Sequence, residues 1–266
     1  MQAYAGLPIL SAQPERPTRL VGIWPLEHEG SVAEYARLAH AAIDEVLAAG
    51  RTPIVAGGTG LYLRAALVDL AVPPAPTGEQ RDRWERLYDR VGPERAHELL
   101  ADRDPEAAAR VHPNDRRRVV RALELAELGS SLLPRTDRLW SDETRHPTVL
   151  FGLDVPRDVL AARIEARARA MFDAGVEEEV RRAVAGTVSA TAIHALGLRD
   201  VAELPRARAC EALVLRTRRY AAYQRKWMRR IPGVVMVDAD RPPDEVADDI
   251  VEVARARQLV SGRRGR

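Results

Sequence analysis

Apolar positions recur at helical spacing through "SVAEYARLAHAAIDEVLAAG", residues 31–50. Ser31 and Glu34 form a capping-box pattern there, and Gly50 is a natural stop. The apolar run "TPIVAGG", residues 52–58, reads as a short buried strand, and a helical pattern resumes from Thr59. Strand, tight glycine turn and helix in succession is an α/β signature. At about Pro73 the pattern breaks in "VPPAPTG". Helices follow in "EQRDRWERLYDRVG", "PERAHELLADR", "DPEAAARV" and "PNDRRRVVRALELAELG", with start signals at Thr77, Pro93, Asp104-Pro105, and Asn114 or Asp115. "SSLLPRTDRLWSDETRHP" reads as a polar return loop, which makes residues 75–146 a helical insertion. "TVLFGLDV" restores a buried strand, followed by helices at "PRDVLAARIEARARAMFDAG" and "VEEEVRRAVAG" and a long basic helix over 206–230. "GVVMVDAD" is the last strand, "PPDEVADDIVEVARARQ" the last helix, and "SGRRGR" a disordered tail. The pattern predicts a parallel α/β core over residues 1–74 and 147–266, interrupted by that insertion.

Composition narrows the class. The chain has 266 residues, 46% of them hydrophobic, enough for a packed core. No apolar run reaches the roughly 18–20 residues that cross a bilayer. "MQAYAGLPIL" lacks the basic start and long apolar run of a signal peptide. A single cysteine, Cys210, excludes an internal disulfide and a thiolate zinc cluster. A cytoplasmic protein is the expectation. The net charge is only +2, yet of 41 basic residues Lys226 is the single lysine. Coding bias explains an arginine excess of this kind, and so does bidentate phosphate recognition.

The candidate chemistry lies in the glycine turn and the arginines. Gly57-Gly58-Thr59-Gly60 has no adjacent lysine, so it is not a Walker A loop, and the dinucleotide fingerprint is absent as well. The turn is either plain strand-to-helix geometry or a ligand site at the end of a strand, with Thr59 offering a hydroxyl. Arg117, Arg118 and Arg121 share one helix side, which reads as a solvated face or as backbone-phosphate contact with nucleic acid. Arg163 and Arg167 lie one turn apart, a plausible diphosphate clamp or an exposed face. In "RTRRYAAYQRKWMRR", Tyr220, Tyr223 and Trp227 sit at helical spacing among seven basic residues, as core or as stacking platforms. None of the six histidines has metal-site spacing with another histidine or cysteine.

Taken together and in order, "MQAYAGLPI", "GRTPIVAGGTGLYLRAAL", "ARVHPNDRRRVVRALELAE", "VPRDVLAARIEARARAMFDAGVEEEV" and "RTRRYAAYQRKWMRR" resemble the tRNA dimethylallyltransferase family over nearly the whole chain. The resemblance implies a P-loop-kinase-like core with a helical insertion that grips the anticodon stem-loop. It implies transfer of a dimethylallyl group from dimethylallyl diphosphate to N6 of adenosine 37, with the base flipped out of its stack, by a monomer that uses magnesium. By resemblance Thr59 contacts the adenosine, Met1 and Gln2 lie beside the flipped base, and Arg81, Arg117, Arg118 and Arg121 contact tRNA. Gly197 and Arg199 of "HALGLR" match another tRNA-facing segment, and Arg167, with Arg163, is the candidate for the diphosphate.

Departures from the family pattern are as specific as the matches. The family places a strand, a GPTxxGKS phosphate loop and a general-base aspartate directly upstream of this Met-Gln, so a truncated version of the enzyme is the expectation. "ILSAQP", residues 9–14, stands where the family has IGTAKP, and paired histidines are replaced in "RLVGIWPLE". The alternative is a catalytically inactive tRNA-binding remnant or regulator. A nucleoside-kinase relative fits less well, since it lacks the phosphate loop and leaves the insertion unexplained.

Overall fold

The protein is described by a computed structural model covering residues 2–70, 76–133 and 138–263. Met1, most of the break at 71–75, Pro134–Asp137 of the return loop and the last three residues of the expected tail lie outside the described residues. The chain forms two compact units. One comprises Met1–Gly30, Glu34–Val68 and Trp140–Arg266, and the other Ser31–Ala33 and Asp69–Leu139.

The helical unit follows its start signals closely. α3 (Gly78–Val91) begins with a full capping box between Thr77 and Gln80. α4 (Pro93–Arg103) starts on Pro93, and α5 (Pro105–Ala108) is capped by the Asp104 carboxylate on Ala107 N at 3.0 Å. Of the two starts considered for α6 (Arg116–Glu127), Asp115 is the cap, accepting from Arg118 N at 3.2 Å. The α6 residues Val119, Leu123 and Leu125 are completely buried, and the first two join Trp84, Tyr88, Leu100 and Ala107 in one apolar core.

The other unit holds α1 (Val32–Ala48, except its first two residues), α2 (Gly60–Leu67), α7 (Arg157–Asp173), α8 (Val176–Ala185), α9 (Leu198–Glu203), α10 (Arg206–Met228) and α11 (Pro243–Arg263). Its sheet is a parallel pair, β1 (Phe151–Asp154) with β2 (Val235–Asp238), in register Phe151 to Val235. The intervening α7–α10 supply the long crossover that a parallel pair requires. α9 was not foreseen from the sequence, and the helix expected to end near residue 259 continues to Arg263 into the tail expected to be disordered. Phe172, Val176, Val180, Leu198 and Leu213 form the main core, where they meet Leu7 and Leu10 from the N-terminal segment.

Two strand expectations need correction. Residues 52–58 form no ladder, and Ile54 is 91% exposed. An apolar run becomes a buried strand only when a neighbouring strand pairs with its backbone and the side chains are covered, and no strand pairs with this run among the described residues. β1 is likewise not a buried strand: only Gly152 is buried along it, and Leu153 is 54% exposed. A sheet of two strands leaves faces open that a wider, helix-covered sheet closes.

A buried carboxylate fastens the N-terminal segment to α8. Glu179 is 5% exposed, and its oxygens accept from the backbone N–H groups of Ile9 and Leu10, each at 2.8 Å. Gln2 and Gln13 close the same segment: the Gln2 amide donates to Ala12 O at 2.7 Å and the Gln13 amide to Tyr4 O at 2.8 Å. Replacing Glu179 with alanine strands two backbone donors away from water. Glu179→Ala is expected to lower unfolding free energy by about 3 kcal/mol, read from urea unfolding, with no comparable loss for the exposed neighbour change Glu178→Ala.

Candidate functional site

The glycine turn sits on one face of α10. Tyr220, Gln224 and Trp227 share that face, and each touches a different part of the turn. Thr59 Oγ1 and Tyr220 Oη are 2.7 Å apart, either oxygen able to donate. The Gln224 amide donates to Gly58 O at 3.0 Å. The Trp227 ring lies against Gly60 so closely that a Cβ there would come within 2.0 Å of it. Thr59 caps the start of α2 by position, yet its side chain makes no capping bond, so its hydroxyl faces α10 instead.

An aromatic and cationic rim continues from this contact. Trp140 packs on Trp227 with ring centroids 4.6 Å apart, and the Arg230 guanidinium lies 3.7 Å over Trp140. Tyr223 meets Trp227 edge-on at 6.1 Å and is half exposed. Arg64, fully buried in α2, donates to Ser141 O at 2.8 Å and so fixes the chain beside Trp140. Burial pulls its pKa down from the ordinary guanidinium value. Residues 145 and 146 are tied down too: Arg145 and His146 both bond Asp44, which holds that carboxyl below its usual range. At the far side Arg225 pairs with Asp154 at 3.1 Å and donates to Val155 O, joining α10 to the end of β1.

The other predicted residues are distributed as follows. Gln2 is exposed, its amide spent on Ser11 O and Ala12 O; Met1 is outside the described residues. Gly197 holds φ +88 at the start of α9, and a Cβ there would meet Leu213 at 2.5 Å, so it is both a conformational and a packing glycine. Arg199 beside it is exposed and makes no ion pair among the described residues. Arg163 is committed to Asp240 at 2.7 Å, whereas Arg167 one turn on is exposed and engages no described ion pair. Only Arg167 of the two therefore offers an unpaired guanidinium.

In the helical unit, Arg117 and Arg118 are exposed on α6. Arg116 instead bonds Asp89 at 2.7 and 2.8 Å and Glu85 at 3.2 Å, which holds it more firmly protonated than a free arginine. Arg81 and Arg121 both approach Glu124, at 3.6 and 3.0 Å.

The residues that touch the glycine turn were only partly foreseen. Tyr220 and Trp227 were singled out by their spacing, but Gln224 was passed over. Its position one turn before Trp227 and one turn after Tyr220 was the available signal. For magnesium, no group of three or more His, Cys, Asp or Glu side chains among the described residues is placed to hold a metal ion. No helix among the described residues is long and apolar enough to cross a membrane.

The two close glycines differ in what resists a side chain. At Gly58 an added Cβ meets the Gln224 amide at 1.9 Å, the mobile end of a flexible chain. At Gly60 it meets a ring already pinned by Trp140. Gly60→Ala should cost about 1–3 kcal/mol and Gly58→Ala under about 1 kcal/mol, a ranking that thermal unfolding of the two variants measures directly.

Comparison with known proteins agrees with this arrangement. Residues 2–231 match the family described as IPP transferase. A tRNA dimethylallyltransferase of Corynebacterium jeikeium is 38% identical over 255 residues, covering 91% of this chain and 82% of the relative. One from Thermobifida fusca is also 38% identical over 255 residues, covering 91% of this chain and 79% of its own length. The crystal structure of the full-length tRNA isopentenylpyrophosphate transferase from Bacillus halodurans superposes with a TM-score of 0.68 at 28% identity, over 100% of this chain and 88% of that one. The helix-rich α/β arrangement with its small parallel sheet is therefore that of known tRNA isopentenyltransferases, and the chain belongs to the IPP transferase family.

Proposed function

We propose that this chain serves transfer of a dimethylallyl group from dimethylallyl diphosphate to N6 of adenosine 37 in the anticodon stem-loop of tRNA. The observation that carries the reading is the Thr59–Tyr220 hydroxyl pair, held on the glycine turn beside the cationic end of α10. In this chemistry the N6 amine attacks C1 of the dimethylallyl group. The C1–oxygen bond breaks, diphosphate leaves with the bonding pair, and N6 gives up a proton. An exocyclic amine is a poor nucleophile, so holding it in line and stabilising the leaving diphosphate are the main contributions available to the protein.

Thr59 is read as the group that orients the adenine, its hydroxyl already aimed by Tyr220. Arg167, unpaired on α7, is read as a diphosphate contact; Arg163, held by Asp240, is the weaker candidate of the pair. No residue of this chain is assigned as the proton acceptor. Gln2, Gly197 and Arg199 are read as tRNA-facing, and Arg81, Arg117, Arg118 and Arg121 as contacts of the helical unit to the RNA backbone. The P-loop-kinase-like reading of the core is supported by the parallel order of β1 and β2 and by the turn preceding α2.

Two outcomes are expected. Arg117→Ala with Arg118→Ala removes exposed charge without opening the core, so tRNA affinity should fall and the slope of log affinity against log salt should flatten by about 0.7–0.9 per lost phosphate contact. An unchanged slope, measured by filter binding across a salt series, reduces both to a solvated face. Thr59→Val in the full-length protein should slow single-turnover transfer of labelled dimethylallyl by about tenfold or more, some 1.4 kcal/mol of barrier, with unfolding little changed. Binding of tRNA without any transfer by the unaltered protein would favour the tRNA-binding remnant instead.

A further inference from the structure

Among the described residues five arginines lie over aromatic rings, and four of them are also spent on oxygen acceptors. Arg83 over Trp84 pairs with Glu127, and Arg103 over the same ring donates to Leu99 O at 3.1 Å. Arg116 over Tyr88 holds Asp89, and Arg206 over Phe172 holds Asp173. Arg230 is the exception. Its guanidinium carbon lies 3.7 Å from the Trp140 centroid, against 5.3–5.9 Å in the other four. It is exposed and makes no ion pair or side-chain hydrogen bond among the described residues. Contact that close is face-to-face stacking, which uses the flat face of the guanidinium and leaves its five in-plane N–H donors unspent. The shelf beneath is firm. Trp140 packs on Trp227, the ring that covers Gly60, and the carbonyl of the next residue, Ser141, is held by buried Arg64 at 2.8 Å. No carboxylate neutralises the neighbours: Lys226 and Arg229 are exposed without an ion pair, and Asp154 is taken by Arg225.

We propose that Arg230, preset on Trp140, takes one backbone phosphate of the tRNA beside the adenosine held at the glycine turn. The inference rests on the reading that this chain acts on tRNA, and it deepens that reading by naming a phosphate contact of the same site. A guanidinium laid on a fixed ring has already lost much of its rotamer freedom, so less is lost when an anion arrives. Its fork of N–H donors matches two oxygens of one phosphate. The occupant is an RNA phosphate rather than the diphosphate of the prenyl donor because Arg230 is exposed. A departing diphosphate is stabilised by donors in a site closed to water, whereas exposed cations meet the RNA backbone and set its register.

Three substitutions at exposed positions test this in the full chain, by filter binding of an unmodified tRNA with adenosine 37 across a salt series. Arg230→Ala is expected to weaken binding by about tenfold and to flatten the slope of log affinity against log salt by about 0.7–0.9. Arg230→Lys keeps the charge, and with it the slope, but lacks the planar fork, so it should still bind about threefold more weakly than the unaltered protein. Arg208→Ala removes an exposed arginine without an ion pair from the other end of α10 and should leave affinity within about twofold. Unchanged binding in Arg230→Ala overturns the proposal. Binding by Arg230→Lys as tight as by the unaltered protein overturns the preset fork, and an equal loss in Arg208→Ala reduces Arg230 to general charge and overturns it too. A raised KM for dimethylallyl diphosphate in Arg230→Ala, with tRNA affinity unchanged, assigns the arginine to the donor and overturns the RNA contact. The level of any failure is visible. If the unaltered protein does not bind tRNA, the tRNA reading itself falls. If it binds and Arg230→Ala binds equally well, only this contact falls.

Discussion

Two missing side chains allow the glycine turn and α10 to meet. A side chain at Gly60 would drive the Trp227 ring, already backed by Trp140, off the backbone, whereas one at Gly58 would displace only the flexible end of Gln224. Close packing leaves the ring little room for such a shift. Around it the supports are redundant: Arg64 fixes the chain beside Trp140, Trp140 backs Trp227, and Arg225 ties α10 to β1. The hydroxyl pair is the polar centre of an otherwise aromatic contact, which is why its direction is defined.

Buried carboxylates do the comparable work elsewhere. Glu179 gathers two backbone donors from the N-terminal segment onto α8, and Glu124 gathers two guanidiniums within the helical unit. Both contrast with the exposed pairs such as Arg95 with Glu98, where solvent screening leaves about 0–1 kcal/mol. A carboxylate shut away from water makes its partners far less free to move, and in each case the partner is a segment that the functional reading assigns to tRNA or to the adenosine.

The many arginines divide by partner. Arg116, Arg163, Arg216 and Arg225 are each committed to a carboxylate inside their own unit. Arg117, Arg167, Arg199 and Arg219, with Lys226 and Arg229, are exposed and make no ion pair among the described residues. A net charge near zero therefore coexists with a set of unneutralised cations, and a polyanion meets those rather than the average.

The sequence alone determined where the helices of the helical unit begin and where α1 stops, because capping is chemistry between residues three or four apart; α9 and the end of α11 escaped it. Thr77 with Gln80, Pro93, Asp104, Asp115 and Gly50 all act within that reach. It also carried the family, since ordered motifs such as "HPND" and "GGTGLYL" are legible without coordinates. Only the tertiary structure decided the rest. Whether "TPIVAGG" is a strand depends on a partner strand, and which arginines stay unpaired depends on carboxylates as far apart in sequence as Arg163 and Asp240. Gln224 acquired its role only when α10 met Gly58. Local rules reach a few residues along the chain, whereas pairing, burial and free charge are set by which distant segments folding brings together.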